Sequence, residues 1–216
     1  MQFNRSDIDV MSPRFRAQFI NSLSGYKSAN LVATRSRDGK ENVAIVSSVF
    51  HLGANPPLMG VIFRPHSAPR HSLENLLDTG EFTLNQVNME IYRCAHQTSA
   101  RFEREQSEFV EVGLTAEYEE GVFAPFVQQS RVKMGLKVVD HQIMCNKTEL
   151  VVGEIFMVLA PAQSVVDDGY IDIAGLGAVA VSGLDSYHVG RPLERLAYAK
   201  PNQPVRPLVC ETAQSE

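Results

Sequence analysis

Apolar runs of strand length, cut by turn residues and never alternating regularly with helices, restrict this chain to an antiparallel β architecture. Residues 29–34, 42–50, 58–63, 81–87, 127–134, 137–146 and 149–159 each read as strands, being rich in β-branched and aromatic residues and bounded by Gly, Pro, Asn or Asp. Between the first two, Ser36-Arg37-Asp38-Gly39 carries the Asp-Gly pair of a tight hairpin. Leu58-Met59-Gly60-Val61-Ile62-Phe63 shows no polar alternation, which predicts a strand buried on both faces. Helical spacing is confined to short stretches. Phe15, Phe19, Ile20 and Leu23 predict a helix over 13–23 stopped by Gly25, Ser72 stands as the N-cap of a helix over 72–78, and 98–110 reads as a polar helix. Many short strands with few helices favour a mainly β, antiparallel Greek-key barrel over a doubly wound parallel sheet. Gly175-Leu176-Gly177 does not rescue the parallel alternative, because no third glycine follows and 178–181 reads as a strand.

Charge and cysteine usage exclude several function classes. A net charge of -5 does not suit a protein that binds nucleic acid through clustered basic residues. No uncharged apolar stretch approaches the roughly 18 residues of a membrane-spanning helix. Residues 1–6 lack the basic-then-apolar pattern of a secretory leader, so a cytoplasmic location is expected. Cys94, Cys145 and Cys210 are odd in number and form no CxxC pair, and are read as free thiols. The hydrophobic fraction of 44% is enough for one ordinary core. One domain is expected over 25–200, with a helical extension over 1–24 and a tail over 201–216 marked by Pro201, Pro204 and Pro207.

The segment with most chemistry follows the third strand. Arg64 and Arg70 precede the short helix that Ser72 opens and on which Asn75 lies one turn further. Unpaired N–H groups and the positive dipole end of a helix favour an anion there. The bland alternative is a capped helix with solvated arginines. Ser47 and Ser48 interrupt the apolar run of 42–50 and need hydrogen-bond partners, which either the neighbouring backbone or a ligand could supply. Metal binding is not expected. His141 with Cys145, placed on one face of a strand, and Cys94 with His96 at a strand end lack the four clustered ligands of a zinc site. Glu103, Glu105, Glu108 and the run Glu117-Tyr118-Glu119-Glu120 read as a solvated acidic face.

Four stretches taken together carry a resemblance. Asn42-x-Ala44-x-x-Ser47, Asn55-Pro56-Pro57-Leu58, Arg70-x-Ser72-Leu73-x-Asn75 and Thr79-Gly80-Glu81-Phe82-Thr83-Leu84-Asn85 are similar in order and spacing to the flavin reductase-like, FMN-binding split-barrel family that includes flavoredoxins. The likeness continues more faintly through His141, Val151-Val152-Gly153-Glu154-Ile155 and Gly183-Leu184-Asp185-Ser186-Tyr187. It implies a split barrel binding FMN, and a homodimer whose two subunits share each site. Asn42, Ala44, Ser47, Ser48, Arg64, Arg70, Ser72 and Asn75 are the candidate cofactor-binding residues. The family's usual Thr-Leu-x-Asn is Ser72-Leu73-Glu74-Asn75 here, and the Gly-Asp-His segment that many NAD(P)H:flavin reductases carry is missing. Among His51, His66, His71 and His188, placed near the flavin by the resemblance, His188 beside Tyr187 is the candidate catalytic residue. The expected function is electron or hydride transfer through FMN, with NADH or NADPH as donor. The alternatives are a reductase that turns FMN over as a diffusing substrate and a non-catalytic flavin-binding dimer.

Overall fold

The first hairpin forms where Asp38-Gly39 predicts it: Gly39 takes a φ of 90°, and Ser36 N–H donates to the Lys40 carbonyl at 2.9 Å. The computed structural model describes residues 1–208. In chain order the elements are α1 (Arg5–Asp9), α2 (Pro13–Ser22), β1 (Lys27–Ser28), β2 (Asn30–Arg35), β3 (Glu41–Val46), β4 (Val49–Ala54), β5 (Pro57–Phe63), α3 (His71–Thr79), β6 (Glu81–Gln86), α4 (Tyr92–Gln97), α5 (Glu108–Val112), β7 (Ala116–Glu117), β8 (Phe126–Val127), β9 (Lys133–Ile143), β10 (Glu149–Leu159), β11 (Val179–Ser182) and β12 (Ser186–Val189).

Seven strands form one antiparallel sheet in the order β3-β2-β6-β9-β10-β5-β4. Its two edges, β3 and β4, are consecutive in sequence and joined only by Ser47 and Ser48. Seven flat strands would span about 29 Å at the usual inter-strand spacing, whereas three peptide steps reach at most about 11 Å. The sheet therefore curls until its edges meet, and the seam between β3 and β4 is the split in the barrel. From β5 the chain returns through α3 to set β6 against β2, a Greek-key connection.

Two apolar clusters follow from this curl. Val32, Val61, Phe63, Phe82, Leu84, Leu136 and Val151 fill the barrel, closed at one end by Leu73 and Leu76 of α3. On the other face of β2, Leu31 and Ala33 join Val43, Ile91, Ala95 and Phe109 beneath α4 and α5. Strand β2 is thus buried on both faces. A second, three-stranded sheet orders β1-β11-β12, and α2 is tied to it by Gln18, whose amide nitrogen donates to Asp185 at 2.7 Å.

Several expectations need correction. The run 42–50 is two strands, because the chain turns at Ser47 and Ser48 to cross the seam. The polar helix over 98–110 does not form. Thr98 donates its hydroxyl to the Ala95 carbonyl at 2.7 Å and ends α4, and helix resumes only at Glu108. The strands expected over 127–134 and 137–146 are instead the short β8 and one long β9 running through Gly135. That glycine gives room for a ring rather than a turn, since a Cβ there would lie 3.0 Å from Phe156 Cζ. Residues 209–216 of the expected tail lie outside the described residues.

Gly153 makes a tight fit of the same kind inside the barrel. A Cβ would lie 2.8 Å from Phe82 Cζ and 3.0 Å from Leu136 Cβ, and both side chains are fully buried. Overpacking of this kind costs about 1–3 kcal/mol. Gly153→Ala is expected to lower unfolding free energy by that amount in urea titrations, and an unchanged midpoint would show that the ring moves freely.

Candidate functional site

The site grows from the packing of α3 on the first hairpin. Thr34 and Asn42 are cross-strand partners on β2 and β3, while Ser72 and Asn75 stand one turn apart on α3. The two spacings match. Asn42 lies 2.6 Å from Ser72 Oγ, and Asn75 Nδ2 donates to Thr34 Oγ1 at 3.2 Å. All four residues are buried, so their hydrogen bonds offset the cost of desolvation. Ser72 is therefore not the N-cap. Arg70 holds that place with a non-helical backbone and no side-chain cap bond, and the Ser72 hydroxyl bonds Asn42 on β3.

Strand β3 has a free edge, and side chains from the following segment cover it. The N–H of Val43 donates to Glu108 Oε2 at 3.3 Å and that of Ile45 to Thr98 Oγ1 at 2.8 Å. Unpaired edge groups would otherwise invite a second strand. Glu108 was expected on a solvated face; it is buried, and burial, only partly offset by its own backbone N–H and that of Val43, raises its pKa. Its sequence signal was an acid directly after a serine before the apolar Phe109-Val110, which resembles an ordinary first helical turn.

Above α3 the loop from Arg64 to Arg70 gathers positive charge. Arg70 is half-buried, and its Nε is buried with no hydrogen-bond partner. Burial lowers its pKa first, and the charges of Arg64 and Arg101 lower it further. None of the three pairs with a carboxylate among the described residues. Glu74, by contrast, is fully engaged. Its carboxylate accepts from the Arg70 N–H at 3.0 Å, lies 2.9 Å from His66 Nε2 and accepts from Arg104 at 2.7 Å. Burial works to raise its pKa, but these three donors hold it at about 2.

The remaining candidates divide. Ala44 lies on β3, and Ser47, half-buried, and Ser48, exposed, occupy the seam with hydroxyls that have no protein partner among the described residues. Ser48 receives the Ile62 N–H on its carbonyl at 3.0 Å. His71, Asn42 and Asn75 line a shallow cleft with Ser36, Lys40, Glu41 and Arg104. His188 stands on β12, its Nε2 2.8 Å from Ser182 Oγ and its ring against Tyr26, with no hydrogen bond or ring contact to the Arg70 cluster. His51 is exposed on β4. Neither pair once weighed for zinc keeps its expected setting. Cys145 lies past the end of β9, whereas Cys94 and His96 sit on α4. His141 is 2.7 Å from Glu149.

Comparison with known proteins identifies the family. The sequence profile of the flavin reductase like domain matches residues 24–169. The chain belongs to this flavin reductase-like family. Among solved structures, a candidate flavin reductase with split barrel domain from Shewanella frigidimarina NCIMB 400 is 52% identical, covering 92% of this chain and all of its own, with a TM-score of 0.89. At 22% identity, flavoredoxin of Desulfovibrio vulgaris (Miyazaki F) covers 82% of this chain and 92% of its own, with a TM-score of 0.69. An FMN-binding protein from Thermus thermophilus, solved with 1-cyclohex-2-enone, is 18% identical over 93% of this chain and 100% of its own, with a TM-score of 0.70. These last two share the fold. The chain spans about half the length of the curated relatives it matches. The mainly β, antiparallel split barrel expected from the sequence is the architecture of this flavin reductase-like chain.

Glu74 gives the site a pH signature. Its folded pKa of about 2 lies below the ordinary 4.5, so its stabilisation is complete above 4.5 and is lost as pH falls toward 2. Because the carboxylate is partly exposed, the effect is on the order of 2 kcal/mol. Acid unfolding of Glu74→Gln is expected to be flatter than wild type through this window; parallel curves would show that the three donors do not act on Glu74.

Proposed function

We propose that this protein is an FMN-binding oxidoreductase that passes electrons or hydride through the flavin, with NADH or NADPH as donor. The observation that carries the reading is the unbalanced charge at the start of α3. A half-buried Arg70 with an unpartnered Nε, beside Arg64 and Arg101 and without a carboxylate, has the chemistry of a phosphate site. The FMN phosphate fits these donors. Arg64 and Arg70 would neutralise and orient it, with Ser72 next to them on the first turn of α3.

The seam would take the other end of the flavin. Ser47 and Ser48 offer free hydroxyls, and the backbone at Ala44 lies just before them, so polar atoms of the ring would find partners there. Asn42 and Asn75 hold α3 against the hairpin and so fix the distance from phosphate site to seam. When bound, FMN supplies the redox chemistry. The chain's own residues bind it, orient it and exclude water. His188 is the candidate for contact with donor or substrate, from the second sheet.

A homodimer completes the reading. Phe50 on β4 and Phe156 on β10 leave large apolar rings exposed on the outside of the barrel, and Phe50 follows directly after the seam. A second copy covering these rings would close the seam from outside. Light scattering is expected to give twice the chain mass, and a monomer would overturn the shared-site reading.

Purified protein is expected to be yellow, to keep its flavin band through gel filtration, and to bleach on addition of NADH or NADPH. Arg70→Ala combined with Ser72→Ala is expected to weaken FMN binding by at least about 2 kcal/mol, roughly thirtyfold, since charged phosphate contacts are removed. Unchanged affinity in a folded double variant would overturn the phosphate assignment.

A further inference from the structure

Glu108 is a buried ionisable group that the flavin site as described does not use, and unlike Lys133 and Glu149 it has no charged partner among the described residues. It occupies the first position of α5, is 6% exposed, and forms no ion pair among the described residues. One carboxylate oxygen accepts from the Val43 N–H; the other lies 3.3 Å from the side-chain amide of Asn42, which is 2.6 Å from Ser72 Oγ. A chain of three side chains thus runs from α5 through β3 to the first turn of α3, two residues beyond Arg70.

The direction of its hydrogen bonds depends on one proton. An ionised carboxylate only accepts. It draws the Asn42 nitrogen toward itself, and the Asn42 carbonyl then accepts the Ser72 hydroxyl at 2.6 Å and the Val43 N–H at 3.1 Å. In that state the Ser72 hydrogen is spent on Asn42. A protonated Glu108 reverses the chain: its O–H donates to the Asn42 carbonyl, the Asn42 nitrogen donates to Ser72 Oγ, and the Ser72 hydrogen is free. The same heavy-atom positions serve both arrangements, except that with the Asn42 nitrogen turned toward Ser72 the Val43 N–H has Glu108 alone as its acceptor.

We propose that phosphate binding beside Arg70 is coupled to protonation of Glu108 through Asn42 and Ser72. The inference rests on the FMN reading above. A phosphate oxygen accepts hydrogen bonds, so it gains a Ser72 donor only when Glu108 holds a proton. That proton comes from solvent, and no covalent bond of the flavin changes. Burial already favours the protonated acid in the free protein. The charged groups on neighbouring elements are engaged elsewhere. Glu41 accepts from Tyr118, Lys40 pairs with Glu105, Arg104 with Glu74, Arg93 lies over Tyr92, and His96 meets Tyr187. His71 lines the cleft beside Asn42, and Glu111 lies on Glu108's own helix.

FMN affinity measured against pH tests the coupling. In wild type it is expected to be full below the free-protein pKa of Glu108 and to fall, by at most about tenfold per pH unit, up to the higher pKa in the complex. Glu108→Gln keeps the shape and fixes the polarity of the protonated state, because its oxygen takes the Val43 N–H and its nitrogen faces the Asn42 carbonyl. The variant is expected to match wild type at low pH and to bind FMN more tightly at high pH. Riboflavin, which lacks the phosphate, is expected to show the same pH profile in both proteins. Calorimetry in two buffers of different ionisation enthalpy is expected to show extra proton uptake by wild type when FMN binds. Parallel FMN profiles and equal proton uptake would overturn the coupling alone, whereas failure of FMN to bind either protein would overturn the flavin reading and the coupling with it.

Discussion

The two-residue link between β3 and β4 is the constraint on which the rest of the molecule depends. These strands are the outer edges of a seven-stranded sheet, and so short a link forces those edges together. Closing the sheet gives the barrel its interior, where Phe82, Leu136 and Val151 meet. It also leaves a seam where backbone pairing is interrupted. A seam is where polar groups stay unspent, and Ser47 and Ser48 stand in it. The same curl gives β3 an edge that must be covered, which brings Glu108 and Thr98 against its free N–H groups.

The second organising element is α3, whose two faces do different work. Leu73 and Leu76 close the barrel, while Ser72 and Asn75 lock onto Asn42 and Thr34. Buried polar pairs fix orientation more sharply than apolar contacts, since a small rotation would leave two desolvated groups unpaired. The loop before α3 is therefore held in one place. Arg64 is exposed, but Arg70 remains half-buried without a counter-charge among the described residues. Positive charge held in this way is what the proposed phosphate site draws on, whereas the same arginines on a mobile loop would be ordinary surface.

Much of the β framework was legible in the residues. β10 coincides with its apolar run, β5 adds one residue to its own, and Asp38-Gly39 marks the first turn. Where the reading missed, a residue had two physical uses. Gly135 marks a break in a one-dimensional pattern but in space makes room for Phe156. Ser47 and Ser48 look like polar positions within one strand but are the crossing between two. Glu108 has the sequence environment of a solvated first helical turn and the tertiary environment of a buried carboxylate.

By itself the sequence determined the local matters: which stretches extend, where hairpins turn, and that arginines cluster before a short helix that carries Ser72 on its first turn and Asn75 on the next. Local periodicity and turn chemistry act within a few residues, so they survive without the fold. Only the tertiary structure decided that Asn42 meets Ser72, that Arg64, Arg70 and Arg101 share one unbalanced patch, and that Glu108 is buried against Val43 and Asn42 without an ion pair among the described residues. Those facts depend on how a curled sheet brings distant segments together, and on which charges are then left without water or a partner.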